Sequence, residues 1–376
     1  MYFNWKAFLK ALRLSLFGQP LRFRRWAYVL GFTLVFLVFL AFIALARAID
    51  HLFWPQLNDT EIPDPVFLIA PPRSGTSYLQ KLLSQDESQV LYWKMYQTVF
   101  PAASIQKGVE LLVMLDQYLG RPTARILGFL EKRTLGAWDG LHTMRLDQPE
   151  EDGAIYLYAF ACEAIYMLFP FVEELWELGF PDRLPETDRQ RLMRYYRSCL
   201  QRHVRVLGQK PRILVKSTNS SGAVKSLLQA FPEARFITII RSPEEAIASS
   251  ISLLMPAVRS HSPDQAIDGP VAKAYATLSI AWYRYLHEFW ETLARERFYR
   301  VDYRDLTQRP VTVVEAIYGH FGWPLEAAYL NRLEDMARAS KTYRSEHHYS
   351  LEAFGLSSEW LRSELGPEME AYGIND

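Results

Sequence analysis

The sequence predicts an α/β chain, a doubly wound parallel sheet flanked by helices, with an apolar helix ahead of it at the N-terminus. Short apolar runs such as residues 66–70 (VFLIA) are continuous rather than alternating, the pattern of strands buried on both faces of a parallel sheet. Long stretches of helical pattern separate these runs, so the strands are joined by crossovers and not by hairpins. With 376 residues, 49% of them hydrophobic and 22% charged, the chain can fill one large core and still extend an accessory segment. A disordered or fibrous chain is excluded.

In chain order, residues 1–17 (MYFNWKAFLKALRLSLF) intersperse Lys6, Lys10 and Arg13 among aromatics and leucines at roughly helical spacing, as in a helix lying in a bilayer interface. Residues 28–46 (YVLGFTLVFLVFLAFIALA) are uncharged and about long enough to span hydrocarbon. No small-residue cleavage site follows, so this is read as an anchor that stays attached. The excess of arginine on its N-terminal side predicts a cytoplasmic N-terminus if the helix crosses; a shallow or re-entrant insertion leaves the whole chain on one face. Prolines 55, 63 and 65 with Asp59, Glu61 and Asp64 read as a polar linker. The expected organisation is therefore an anchor over 1–54, a linker over 55–65 and a catalytic domain over 66–376.

Within that domain further buried strands are expected at 213–215 and 235–240 (RFITII), with a helical crossover over 217–231, and another strand at 298–303 (FYRVDY). Helices are expected near 109–130, 154–178, 188–207 and 272–295. The basic and acidic residues balance at 42 each, so no global field favours nucleic acid. Cys162 and Cys199 lack metal or redox spacing, and no ligand cluster suggests a metal.

Between the first strand and its helix lies Pro71-Pro72-Arg73-Ser74-Gly75-Thr76-Ser77. A strand, a glycine-containing turn and a helix start gather backbone N–H groups and the positive helix end at one point, which makes an anion cradle. Gly75 permits close backbone approach, Ser74, Thr76 and Ser77 add hydroxyl donors, and Arg73 adds fixed charge. A Walker loop needs a glycine at its start and a lysine before its Ser/Thr. Here Ala70 and Gly75 hold those positions, which disfavours a nucleotide kinase or NTPase. By itself, the loop does not distinguish a sulfate donor from a nucleoside triphosphate.

The loop resembles the 5′-phosphosulfate loop of PAPS-dependent sulfotransferases, a P-loop-like fold. Arg73 stands where cytosolic members carry lysine, as in tyrosylprotein and many bacterial members. The family's second signature is a strand followed by an arginine and, eight positions on, a serine. Here RFITII leads into Arg241 and then Ser249, so the resemblance implies that these two grip the 3′-phosphate of PAPS. It implies further that Tyr303, in Tyr303-Arg304-Asp305-Leu306, lies near the nucleotide, and that Lys341 or Arg344 closes over it. The resemblance covers roughly residues 66–356.

In-line sulfuryl transfer needs a base for the acceptor proton and positive groups at the sulfonate. Arg73 meets the second need, and Lys216, directly after a strand, is the second candidate. For the base, the run from His142 through Glu150-Glu151-Asp152 resembles an acidic segment of bacterial members. Glu151 is the first choice, with Asp152 and His142 as alternates and Glu87 ranked below them. Residues 154–171 are apolar and aromatic apart from Glu163, a composition that suits a lipid-sized cleft. The expected acceptor is a hydroxylated lipid or other membrane-borne molecule. A bacterial inner membrane with catalysis on the cytosolic face is the expected site, with a Golgi-type lumenal placement as the alternative. A non-catalytic nucleotide-binding scaffold at the membrane is the remaining competitor.

Overall fold

The structure, a computed structural model, describes residues 1–18, 22–120, 145–340 and 350–374. Five strands, β1 (Pro65–Leu68), β2 (Val90–Tyr92), β3 (Arg212–Lys216), β4 (Arg235–Ile240) and β5 (Phe298–Asp302), pair entirely in parallel in the order β2-β3-β1-β4-β5. Phe67 of β1 stands opposite Val215 on one side and Phe236 on the other. The pleat then sends alternate residues to opposite faces. Val66, Leu68 and Ala70 pack with Leu79 and Leu82 on one face, while Phe67 and Ile69 pack with Tyr196 and Phe236 on the other. Burial on both faces is why the runs are continuous.

The helices are α1 (Trp5–Phe17), α2 (Phe23–Phe53), α3 (Thr76–Leu83), α4 (Met95–Val99), α5 (Ala103–Tyr118), α6 (Gly153–Tyr158), α7 (Glu186–Leu207), α8 (Val224–Ala230), α9 (Pro243–His261), α10 (Pro270–Trp290), α11 (Tyr303–Gln308), α12 (Pro310–Phe321), α13 (Ala327–Ser340) and α14 (Ser358–Ala371). Most fall where helices are expected, but residues 154–178 do not form one helix. After α6, Phe160 takes a left-handed φ of 50°, and the chain continues as short 3-10 turns, Glu163–Met167 and Trp176–Leu178. Pro170 has no N–H to continue a helix, and the apolar run wraps around the core instead. The strand β2, only three residues long, is not foreshadowed by the sequence.

The N-terminal helix α2 runs for 31 residues, beyond both ends of the expected 28–46, and is long and apolar enough to cross a membrane. It does not stand apart from the domain. Its buried residues Val29, Phe36, Ile43 and Asp50 recur every seven positions, one stripe along the helix. At its start, Arg22 pairs with Asp264 (2.6 Å) and Arg25 Nε donates to Ser262 Oγ (2.8 Å). Midway, Phe36 meets Phe160 (centroids 6.5 Å) and Phe39 stacks on Tyr158 (6.0 Å). Near its end, Arg47 donates to the Pro101 carbonyl (2.7 Å) and Ser198 Oγ (2.5 Å). Asp50 accepts from the Ala103 and Ser104 N–H groups (2.8 and 2.7 Å), the first of α5, and from Arg202 Nε of α7 (2.9 Å). The 55–65 segment is also tied down, through the Asn58 and Thr60 carbonyls that accept from Gln201 Nε2 (2.5 and 3.2 Å) and through the Arg235–Asp64 ion pair.

Candidate active site

All five strands point the same way, so their C-terminal ends share one edge, and the loop after β1 leaves it between the ends of β3 and β4. Residues 71–75 turn through two left-handed positions, Arg73 (φ 67°) and Gly75 (φ 89°). Such a turn aims successive backbone N–H groups inward, and no side chain caps the N-terminus of α3 that follows. Ser74 Oγ donates to the Pro71 carbonyl (2.8 Å) and is buried, so it shapes the loop from within. A Cβ on Gly75 would lie 2.8 Å from the Tyr303 ring.

Arg73, Arg241, Ser249 and Tyr303 come together at this loop. Arg73 Nε donates to Ser249 Oγ (3.0 Å) on α9. Arg241, just past β4, donates through Nη1 to the Arg73 carbonyl (2.8 Å), pairs with Glu245 (2.9 Å), and lies over the Tyr303 ring (4.5 Å to its centroid). The eight-residue spacing from Arg241 to Ser249 therefore brings both against Arg73. Tyr283 of α10, unmarked in the sequence, donates to the Arg241 carbonyl (3.2 Å).

On the other side of the loop, Lys216 ends β3, almost fully buried. Its Nζ donates to Ser77 Oγ (2.9 Å) and sits 3.1 Å from Glu151 Oε2. The same carboxylate oxygen accepts from Thr218 Oγ1 (2.8 Å). The segment carrying Glu151 is pinned at two strand ends, because Glu150 N donates to the Trp93 carbonyl (2.9 Å) and Asp152 N to the Lys216 carbonyl (3.2 Å). Lys216 thus bridges the anion loop and the candidate base.

Asp152 faces inward. Its Oδ2 accepts from Tyr196 OH (2.6 Å) and Ser217 Oγ (2.7 Å), and Ser217 continues through Ser220 (2.6 Å) to Tyr156 (2.8 Å). Burial pushes its carboxyl up to about 7, against the lowering effect of those two hydrogen bonds. Asp152 is thereby fully enclosed and tied to α7 and to the segment after β3. Glu87 is exposed in the turn between α3 and β2. It precedes β2, which runs parallel to β1, and so lies at the opposite edge of the sheet, away from the loop. His142, Lys341 and Arg344 lie outside the described residues.

Glu163 joins the site unannounced by any motif. The Asn219 amide, turned to donate, reaches its carboxylate at 2.5 and 3.2 Å. Burial first, then the negative charge of Glu151, pushes Glu163 up to about 8. Its composition signal was a single acid in an aromatic run. The partner Asn219 comes from another segment, and spacing alone does not connect the two. The site thus combines a compact anion cradle with a lysine and a carboxyl group at its rim, groups suited to moving an anionic group onto a hydroxyl.

The profile of the sulfotransferase family matches residues 65–327. Among characterised proteins, the omega-hydroxy-beta-dihydromenaquinone-9 sulfotransferases Stf3 of Mycobacterium bovis and Mycobacterium tuberculosis are each 25% identical over 311 residues, covering 79% of this chain and 72% of theirs. Among solved structures, sulfotransferase STF9 from Mycobacterium avium aligns with a TM-score of 0.70 at 20% identity, over 98% of this chain and 86% of that one. STF1 from Mycobacterium tuberculosis H37Rv aligns with a TM-score of 0.66 at 21% identity, over 96% of this chain and 91% of that one. These two likenesses concern the fold.

Proposed function

The chain belongs to the sulfotransferase family, and from that premise we propose that it transfers a sulfuryl group from PAPS to the hydroxyl of a membrane-borne lipid. The observation that carries the donor assignment is the convergence of Arg73, Arg241 and Ser249 on one loop. The residues fit this donor chemically. Gly75 lies so close to Tyr303 that a Cβ would fill the space between them, leaving a backbone cradle for a phosphosulfate. Arg73 with Ser74, Thr76 and Ser77 would hold the 5′-phosphosulfate, and Arg241 with Ser249 the 3′-phosphate, with Tyr303 beside the nucleotide.

The donor supplies an electrophilic sulfur and a phosphate leaving group. Glu151 takes the proton of the acceptor hydroxyl as its oxygen bonds to sulfur and the bridging S–O bond breaks. Lys216, held between Ser77 and Glu151, and Arg73 stabilise the charge on the sulfonate and the departing oxygen. Two supports favour a lipid acceptor: the apolar helix α2, and the menaquinone acceptor in the name of the similar Stf3 enzymes. At 25% identity that name is a guide to acceptor class and not to the molecule.

The test separates binding from turnover. Titration calorimetry with 3′,5′-ADP should show Arg241→Ala weakening binding at least tenfold. Glu151→Gln should bind normally and lose sulfate transfer from labelled PAPS to a host lipid extract, read by mass spectrometry. Absence of 3′,5′-ADP binding by the wild type would sink the donor assignment, and normal turnover by Glu151→Gln would move the base elsewhere.

A further inference from the structure

We infer that α2 lies in the plane of a bilayer and that, with α1 and the C-terminal part of α5, it forms one face by which the whole domain docks on an anionic membrane. A helix of 31 residues is about 46 Å long at 1.5 Å per residue, more than a hydrocarbon core is thick. A crossing helix must leave its domain on one side. Here both ends of α2 are fastened to the same domain, Arg22 and Arg25 to Asp264 and Ser262 at the start, Asp50 to Arg202 at the finish. The buried stripe between them leaves no length free to cross.

The opposite side of α2 is apolar and uncovered. Leu34, Val38 and Leu52 are 68%, 63% and 78% exposed, and Leu30 and Leu45 extend the same side. At the end of α5, the five successive residues Leu111–Leu115 are all exposed. Five residues at 100° each go fully around a helix, so a flat protein partner would leave part of that circumference in water; hydrocarbon would surround it. The rim carries the complementary charge for anionic headgroups. Arg13 and Arg24 are exposed, and a cavity of about 910 Å³ beside exposed Trp5 is lined by Lys6, Arg191, Arg194 and Arg197 against the single acid Asp188.

The catalytic groups lie one layer behind this face. Phe36 and Phe39 of α2 touch Phe160 and Tyr158, and that segment begins directly after Glu151 and Asp152. To reach Glu151 from this face a hydroxylated lipid would have to displace part of the segment 155–162, whose residues are almost all buried. That last step rests on the proposed acceptor class; the docking face does not.

The test uses the full chain and readouts independent of turnover. In flotation with vesicles of phosphatidylglycerol and phosphatidylethanolamine, the wild type should float. The variant Leu34→Glu/Val38→Glu should partition on the order of 100-fold less, since each substitution puts a charge on the lipid side, while keeping its 3′,5′-ADP affinity. Single variants Arg24→Cys, in the first turn of α2, and Gln56→Cys, just beyond its end, mark the two ends of the helix, and the native Cys162 and Cys199 are buried. In intact spheroplasts and in inverted membrane vesicles, a membrane-impermeant maleimide should label both positions from the same side. Labelling from opposite sides would establish a span and overturn the inference. So would a wild type that fails to float, or a double variant that floats like wild type.

Discussion

At Gly75 two constraints coincide, a left-handed backbone (φ 89°) and a ring 2.8 Å from where a Cβ would stand. Gly75→Ala should weaken 3′,5′-ADP binding more than tenfold by calorimetry. Adding Tyr303→Ala should restore only part of the loss, because the backbone cost of about 1–2 kcal/mol remains after the ring is gone. Asp152 gives a pH signature. Its folded-state carboxyl, at about 7, stands above the ordinary 3.8, so the folded chain holds a proton that the unfolded chain has released. The resulting stabilisation is full below about pH 4 and disappears as pH rises through 7, with a slope of at most about 1.4 kcal/mol per pH unit. Thermal melts from pH 5 to 8 should show a declining Tm, and Asp152→Asn, which still accepts from Tyr196 and Ser217, should make the decline shallower, with the raised Glu163 carboxyl contributing what remains. At this scale the sequence discloses what a local motif encodes. Arg73, Gly75, Arg241 and Ser249 sit at fixed offsets from strand ends, and the structure gathers all four. The Glu163–Asn219 pair depends on how two unrelated segments fold back on each other, which no spacing records.

At the scale of elements, the clamp formed by α2, α5 and α7 carries the clearest consequence for stability. Asp50 is the carboxylate that meets Arg202, next to the buried Arg47, and it also caps the first N–H groups of α5. Asp50→Ala leaves buried guanidinium charge without its counter-ion, a loss of about 3–5 kcal/mol that urea unfolding in detergent should register. The double variant Asp50→Leu/Arg202→Met should recover part of it. Strands β1 and β4 were legible because burial on both faces demands continuous apolar runs. Strand β2 was not, since three residues on an edge need no pattern of their own. The aromatic run after residue 153 is apolar on every side whether helical or wrapped, so composition could not reveal the left-handed turn at Phe160 or the 3-10 turns that follow it.

For the molecule as a whole, net charge is zero and one side is apolar, a combination with little to oppose self-association in plain buffer. Light scattering should find the purified chain polydisperse without detergent and monodisperse with it, and Leu34→Glu/Val38→Glu should remain dispersed in both. The clamp also orders events during synthesis. Asp50 and Arg202 are 152 residues apart. At about 5–20 residues per second, the ribosome needs roughly 8–30 s to deliver the partner that fixes the end of α2. Throughout that interval the long apolar helix α2 has emerged while the α7 part of its seat on the domain does not yet exist. Its first shelter must come from outside the chain, from lipid or from a chaperone, and the catalytic domain then assembles around a helix already in place.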